Sequence, residues 1–301
     1  RQNHFEAVLC NPDGTQQVIY DERSPKYVDH LNKTFYFLED GRCFIVREET
    51  STGYMHLYLY GIGQGVLHPI TQGEWEVTDF VGLRGDKVYY ISTESSPLKR
   101  DLYRVGLDGK HKERLTPGDG YYSIYPSADL SYYICEGGDS SAPGRTDVFN
   151  AAGKRVRTLY DNAPLKEALV EAGLPVREFF TFTTERGDEL NGYMLKPLDF
   201  DPAKRYPVLL TQYSGPGSQQ VAEGWGPDWE DALVTHGYIV VCVDPRGTGY
   251  RGEEFKKLTY GNLGRLEVED QISTARYMAR QSYVDPARIG IYGWSYGGFM
   301  A

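Results

Sequence analysis

The chain has 301 residues, 40% hydrophobic and 25% charged, which is enough for two folded domains of ordinary soluble composition. Its formal net charge of -10 argues against a nucleic-acid partner, because phosphate binding needs a basic patch. No run of about 18 apolar residues is present to cross a membrane, and Cys10, Cys43, Cys135 and Cys242 form no C-x-x-C pair, which sets aside a zinc site.

The chain starts at Arg1 with no initiator methionine or signal-like segment, and reads as an internal piece of a longer protein. Asn32-Lys33-Thr34 matches a glycosylation sequon, but three-residue matches are common by chance. Of the 25 tyrosines many crowd the first half, which predicts a β-rich segment. One phrase recurs there: His56-Leu57-Tyr58 returns as Asp101-Leu102-Tyr103, and Ile70-Thr71-Gln72-Gly73 as Leu115-Thr116-Pro117-Gly118, each 45 residues on. Arg42-Cys43-Phe44-Ile45, Lys87-Val88-Tyr89-Tyr90 and Tyr132-Tyr133-Ile134 keep the same step, and a weaker copy around Thr146 to Phe149 drifts out of register. A period of about 40 to 50 residues built from short strands predicts blades of a β-propeller. An antiparallel sandwich is the alternative, but it has no reason to keep a fixed step. Three or so blades fit residues 1–161, too few to close a ring, so more propeller is expected before Arg1.

Residues 162–177 read as a linker holding a short amphipathic helix, opened by Asn162 and Pro164 and stopped by Gly173. From Glu178 the pattern changes. Phe179 to Thr184 and Leu190 to Leu195 predict a hairpin, and Pro207 to Thr211 and Tyr238 to Val243 predict buried strands, with Cys242 a core thiol. Helices are predicted over Trp229 to His236 and Leu266 to Gln281, the second with Leu266, Ile272, Ala275 and Met278 on an apolar face. Its first-turn acids, Glu267, Glu269 and Asp270, read as a solvated face favoured by the helix dipole rather than as a metal site. Gly247-Thr248-Gly249-Tyr250-Arg251-Gly252 spells G-x-G-x-x-G, but Glu253 and Glu254 stand where a pyrophosphate would sit, so a structural turn is the better reading.

The strand Arg288 to Tyr292 runs into Gly293-Trp294-Ser295-Tyr296-Gly297-Gly298, a G-x-S-x-G turn that predicts Ser295 as a nucleophile raised clear of a sheet. A serine hydroxyl needs a histidine base oriented by a carboxylate. In an α/β-hydrolase both follow the serine, whereas His4, His30, His56, His68, His111 and His236 all precede Ser295. Tyr213, at the end of a strand and the start of a Ser-Gly-Pro-Gly turn, would lie where that sheet meets the elbow.

Four phrases, Gln212-Tyr213-Ser214-Gly215-Pro216-Gly217-Ser218-Gln219, Asp244-Pro245-Arg246-Gly247-Thr248-Gly249-Tyr250-Arg251-Gly252, Leu266-Glu267-Val268-Glu269-Asp270-Gln271 and Gly293 to Gly298, resemble in order and spacing the prolyl oligopeptidase family, in its dipeptidyl peptidase IV branch. The resemblance implies the last blades of an incomplete β-propeller over 1–161, a linker over 162–177, and the N-terminal part of an α/β-hydrolase domain over 178–301, ending just after the nucleophile elbow. It implies a cofactor-independent, metal-free serine exopeptidase that releases N-terminal dipeptides with Pro or Ala second, through an acyl-enzyme on Ser295. Tyr213 would give a hydroxyl, and Tyr296 its backbone N–H, to the oxyanion, while the Tyr296 ring would line the pocket for the residue before the cleaved bond. Peptides are the implied partners, a homodimer and a periplasmic or extracellular place are suggested for the full-length protein, and the piece alone is expected to be inactive. The glutamate pair that holds a substrate amino group in that branch has no counterpart here, since Glu48-Glu49-Thr50 sits in no matching motif. An acylaminoacyl peptidase or a prolyl endopeptidase of the same family is the alternative within the enzyme class, and a non-catalytic propeller-hydrolase binding protein is the alternative outside it.

Overall fold

The computed structural model describes residues 2–29 and 33–301, so Asn32 of the sequon lies outside the described residues. Short runs of apolar alternation punctuated by glycine turns become antiparallel strands. A hairpin of β1 (His4–Cys10) and β2 (Gln16–Arg23) comes first. Three four-stranded sheets follow, in each of which every strand pairs with the next one in the chain. The first holds β3 (Phe35–Phe37), β4 (Cys43–Glu48), β5 (His56–Gly61) and β6 (Gly65–Pro69). The second holds β7 (Val77–Arg84), β8 (Lys87–Ser92), β9 (Asp101–Gly106) and β10 (Glu113–Arg114), and the third β11 (Tyr121–Pro126), β12 (Tyr132–Gly138), β13 (Arg145–Asn150) and β14 (Arg155–Tyr160).

Successive side chains of a strand face opposite ways, so each sheet feeds two cores. In β4, Phe44 and Val46 pack back on Ile19 and Tyr20 of the hairpin, while Ile45 packs forward with Val88 and Tyr90. In β8, Tyr89 and Ile91 in turn pack forward with Tyr133, Cys135 and Phe149 of the third sheet. The repeat that builds this stack runs 45 residues from Gly61 to Gly106 but 44 between their strand partners, Cys43 and Lys87. The uniform step of 45 expected for the Arg42 to Ile45 phrase is thus corrected by one residue. Val88, not Tyr89, occupies the place of Phe44, and only that register points both side chains backward; a slip of one would exchange the cores.

Helix α1 (Ala163–Ala172) forms where a short helix is expected in the linker, with none of its residues fully buried. Asn162 does not cap it by a side-chain bond; its backbone is left-handed at φ 57° and its amide donates to the Gly144 carbonyl at 2.6 Å. Gly173 closes it as expected, at φ 64°, with its N–H on the Leu169 carbonyl.

The second half is a five-stranded sheet in the order β15-β16-β18-β17-β19. The hairpin β15 (Glu178–Thr183) and β16 (Glu189–Leu195) joins antiparallel to β18 (Ile239–Asp244); β17 (Tyr206–Gln212) runs parallel to β18 on one side and to β19 (Val284–Gly293), the outermost strand, on the other. All of β18 is buried. Ile239, Val241 and Val243 meet Met278 of α4 (Arg265–Ala279) on one face, and Val240 and Cys242 meet Val234 of α2 (Trp229–Thr235) on the other. Burial pushes the Cys242 thiol well above its ordinary range, in keeping with a core thiol.

The apolar face expected of α4 is corrected. Ile272 is 46% exposed, and the buried residues are Glu267, Asp270, Gln271, Thr274 and Met278. Their spacing is helical, but four of the five are polar, so the face is hydrogen-bonded into its surroundings rather than oiled against them.

The two halves meet through the loop 245–252 and the short helix α3 (Glu253–Lys256). The Gly252 N–H donates to Glu76 at 2.8 Å and the Glu253 N–H to the Gly53 carbonyl at 2.6 Å, so G-x-G-x-x-G serves as an inter-domain turn. Lys257 bonds Glu49 at 2.8 Å, Lys256 bonds Glu49 and reaches Asp29 at 3.1 Å, and all four side chains are at least four-fifths buried. Burial opposes the charge on Lys256, but Glu49 and Asp29 outweigh it and hold the ammonium above the ordinary lysine range. Nearby, the Arg100 guanidinium lies 3.9 Å from the Tyr250 ring centre and donates to Gln219 at 2.6 Å.

Candidate active site

The chain leaves β19 at Gly293 and enters α5 (Tyr296–Met300) after only Trp294 and Ser295. Ser295 makes that turn at φ 55°, ψ -116°, a conformation that non-glycine residues adopt only where the surroundings impose it. The surroundings here are two glycines. A Cβ on Gly293 would lie 2.2 Å from the Gly297 backbone, and one on Gly297 would lie 2.4 Å from the Gln212 carbonyl oxygen. Small residues two before and two after the serine are thus required by backbone meeting backbone, and the turn leaves Ser295 exposed.

Tyr213 follows the last residue of β17, and its ring centre lies 6.2 Å from that of Tyr296. The sheet order explains the meeting: β17 and β19 are parallel neighbours, so both chain segments emerge at one end. Gly215 makes room for the Tyr213 ring, since a Cβ there would stand 2.4 Å from it. As the first residue of α5, Tyr296 presents a backbone N–H that the helix itself cannot pair. Its phenol donates to Glu267 Oε1 at 2.7 Å, and burial together with that bond pushes it up to about 12, so it stays a neutral donor.

The acids of α4 are not the solvated face expected of them. Glu267 and Asp270 are fully buried, with Glu269 half-buried. Asp270 takes the Arg246 guanidinium on both oxygens, at 2.6 and 3.0 Å, and the Arg246 N–H at 2.8 Å, while Glu267 takes Tyr296. These acids bond to residues 24 and 29 positions away, a relation that helix periodicity does not contain; the one local signal was that Glu267, Asp270, Gln271 and Thr274 share a stripe. Gln212, Ser214 and Gln271, also buried, were likewise missed, for a polar side chain at a strand end, in a loop or in a helix carries no pattern of its own.

None of the histidines is hydrogen-bonded to Ser295 among the described residues. His56 is buried between Thr71 and the Gly73 carbonyl, and His236 contacts the Ala232 carbonyl at 2.7 Å as the cap of α2. His4, Glu6 and Asp21 bring ligand atoms together on the exposed β1–β2 hairpin, far in sequence from the elbow.

Propeller-type blades leading into an α/β sheet with a serine at a strained strand-to-helix turn define the serine-hydrolase class in which such domains are joined. Two family models match the chain: the dipeptidyl peptidase IV N-terminal region over residues 1–143 and the prolyl oligopeptidase family over residues 225–301. The chain belongs to the prolyl oligopeptidase family, in its dipeptidyl peptidase IV branch. It is 38% identical over 260 residues to a probable dipeptidyl peptidase 4 of Emericella nidulans, covering 83% of this chain and 33% of that protein. It is 40% identical over 257 residues to dipeptidyl-aminopeptidase B of Aspergillus niger, covering 82% and 28%. The crystal structure of Porphyromonas gingivalis dipeptidyl peptidase 4 superposes with a TM-score of 0.93 at 39% identity, over 99% of this chain and 43% of that one. A putative dipeptidyl aminopeptidase IV from Bacteroides ovatus gives 0.88 at 28%, over 99% and 46%. The chain thus spans between 28% and 46% of the length of these relatives.

Proposed function

We propose that this chain supplies the nucleophile and oxyanion donors of a serine exopeptidase that releases N-terminal dipeptides with Pro or Ala at the second position. The observation that carries the reading is Ser295, exposed and held at φ 55°, ψ -116° between two glycines that cannot be larger. Residues 1–161 would be propeller blades, 162–177 a linker and 178–301 the start of the hydrolase domain. Ser295 Oγ attacks the carbonyl carbon of the scissile bond while a histidine takes its proton. The tetrahedral oxyanion accepts from the Tyr213 hydroxyl and the Tyr296 N–H, the C–N bond breaks with the histidine returning the proton to the leaving amine, and water releases the dipeptide from the acyl-enzyme. The Tyr296 ring, fixed by its bond to Glu267, would form a flat wall for proline.

The base and its carboxylate must come from the full-length protein, so the 301 residues alone are expected to turn over no peptide. In the full-length protein, Ser295→Ala is expected to abolish both hydrolysis of a Gly-Pro anilide and labelling by a fluorophosphonate; unchanged hydrolysis would overturn the reading. Preference for free over N-acetylated substrates separates a dipeptidyl peptidase from an acylaminoacyl peptidase or an endopeptidase.

A further inference from the structure

Three buried polar side chains that the reaction above leaves unused lie behind the turn carrying Tyr213. Gln212, Ser214 and Gln271 are 6%, 1% and 4% exposed. Gln271 donates to the Ser214 hydroxyl and to the Val243 carbonyl, both at 3.2 Å. Ser214, held in the left-handed region at φ 62°, donates to Gln212 Oε1 at 2.7 Å, and Gln212 Nε2 donates to the Gly297 carbonyl at 2.8 Å. The chain of bonds runs from the end of β18, through α4 and both neighbours of Tyr213, into the first turn after Ser295.

An oxyanion hole works only when its donors stand about 2.7–3.1 Å from where the charge develops, and a misplacement of about 1 Å can cost roughly 100-fold. The two proposed donors here belong to segments 83 residues apart in sequence, Tyr213 and Tyr296, so some contact has to fix their separation. Gln212 is one residue from Tyr213, and its partner Gly297 is one residue from Tyr296. The neutral amide of Gln212 meets both demands at this place, accepting from a hydroxyl and donating to a carbonyl. The backbones also touch there, with the Gln212 carbonyl beneath Gly297, so the side-chain bond locks a contact that packing alone would leave free to slide.

We infer that Gln212 is a positioning residue that sets the spacing of the two oxyanion donors, with Ser214 and Gln271 holding its amide in the required orientation. This rests on the function proposed above. The test is a double-mutant cycle in the full-length protein, with Gln212→Met, similar in length but unable to make either bond, measured alone and with Tyr213→Phe. Gln212→Met is expected to lower kcat about 10-fold or more with KM changed less than about 2-fold. Beside Tyr213→Phe its further effect should shrink to less than about 2-fold, because the donor it positions is already gone. An unchanged kcat, or the same fold-loss in both backgrounds, would overturn the inference. Should Gln212→Met fail to accumulate as folded protein, Ser214→Ala, which removes one oxygen from the same chain, is expected to lower kcat several-fold with the same non-additivity, and additivity there overturns it equally. Retained activity in Ser295→Ala, or no effect of Tyr213→Phe, would instead defeat the underlying reading.

Discussion

At the scale of single residues, the elbow was legible because its chemistry is written in small residues at fixed offsets, and the 2.2 and 2.4 Å approaches show why those offsets tolerate nothing larger. Asp244 was not legible, since nothing near it in sequence marks it as isolated. It ends β18, buried, and accepts the Gln220 N–H at 3.0 Å and the Val221 N–H at 2.9 Å. Burial pushes its carboxyl from 3.8 up to about 6, against those two bonds. A folded pKa above the unfolded one means that the native chain holds a proton the unfolded chain releases. The stabilisation is full below about 3.8 and is lost as pH rises through about 6. Unfolding free energy is therefore expected to fall by roughly 3 kcal/mol across that window from this group. Chemical denaturation at several pH values checks it, and Asp244→Asn should flatten the slope.

Among the elements, strand positions were readable wherever one face or both faces had to be apolar, which is why the bounds of β15 to β18 lie within a residue or two of expectation. Helix α4 shows the limit of that method. Its length and existence follow from sequence, but apolar periodicity points to Ile272, which is exposed, and not to Asp270, which is buried. Tertiary partners, here Arg246 and Tyr296, decided the face. Arg246 is the hub, reaching Asp270 at 2.6 Å and Asp188 at 3.0 Å with only 7% of its side chain exposed. Removing one member of a buried pair strands the other charge, so Arg246→Met is expected to destabilise the second half by about 3–5 kcal/mol. Urea unfolding followed by tryptophan fluorescence measures this, and a loss below about 1 kcal/mol would show that the carboxylates find other partners.

For the whole molecule, the 45-residue repeat announced a stack of sheets, yet the contact between that stack and the α/β sheet had no signature. Glu49 shows why. It directly follows β4 beside Glu48, where the local sequence suggests at most a ligand for a substrate amine, whereas its partners, Lys256 and Lys257, lie more than 200 residues on. Glu49→Gln leaves two buried ammonium groups sharing fewer acceptors. It is expected to weaken the junction by roughly 3 kcal/mol. Calorimetry checks this: one transition is expected for the unaltered protein and separate propeller and α/β transitions for the variant.

The position of β19 has a further consequence, for handling the protein. Within four residues of Ser295 stand Tyr292, Trp294 and Phe299, exposed by 44%, 78% and 69%. The same parallel geometry that brings Ser295 to the end of the sheet thus also gathers exposed aromatic rings around it, and concentrated solutions of the chain are expected to associate through them.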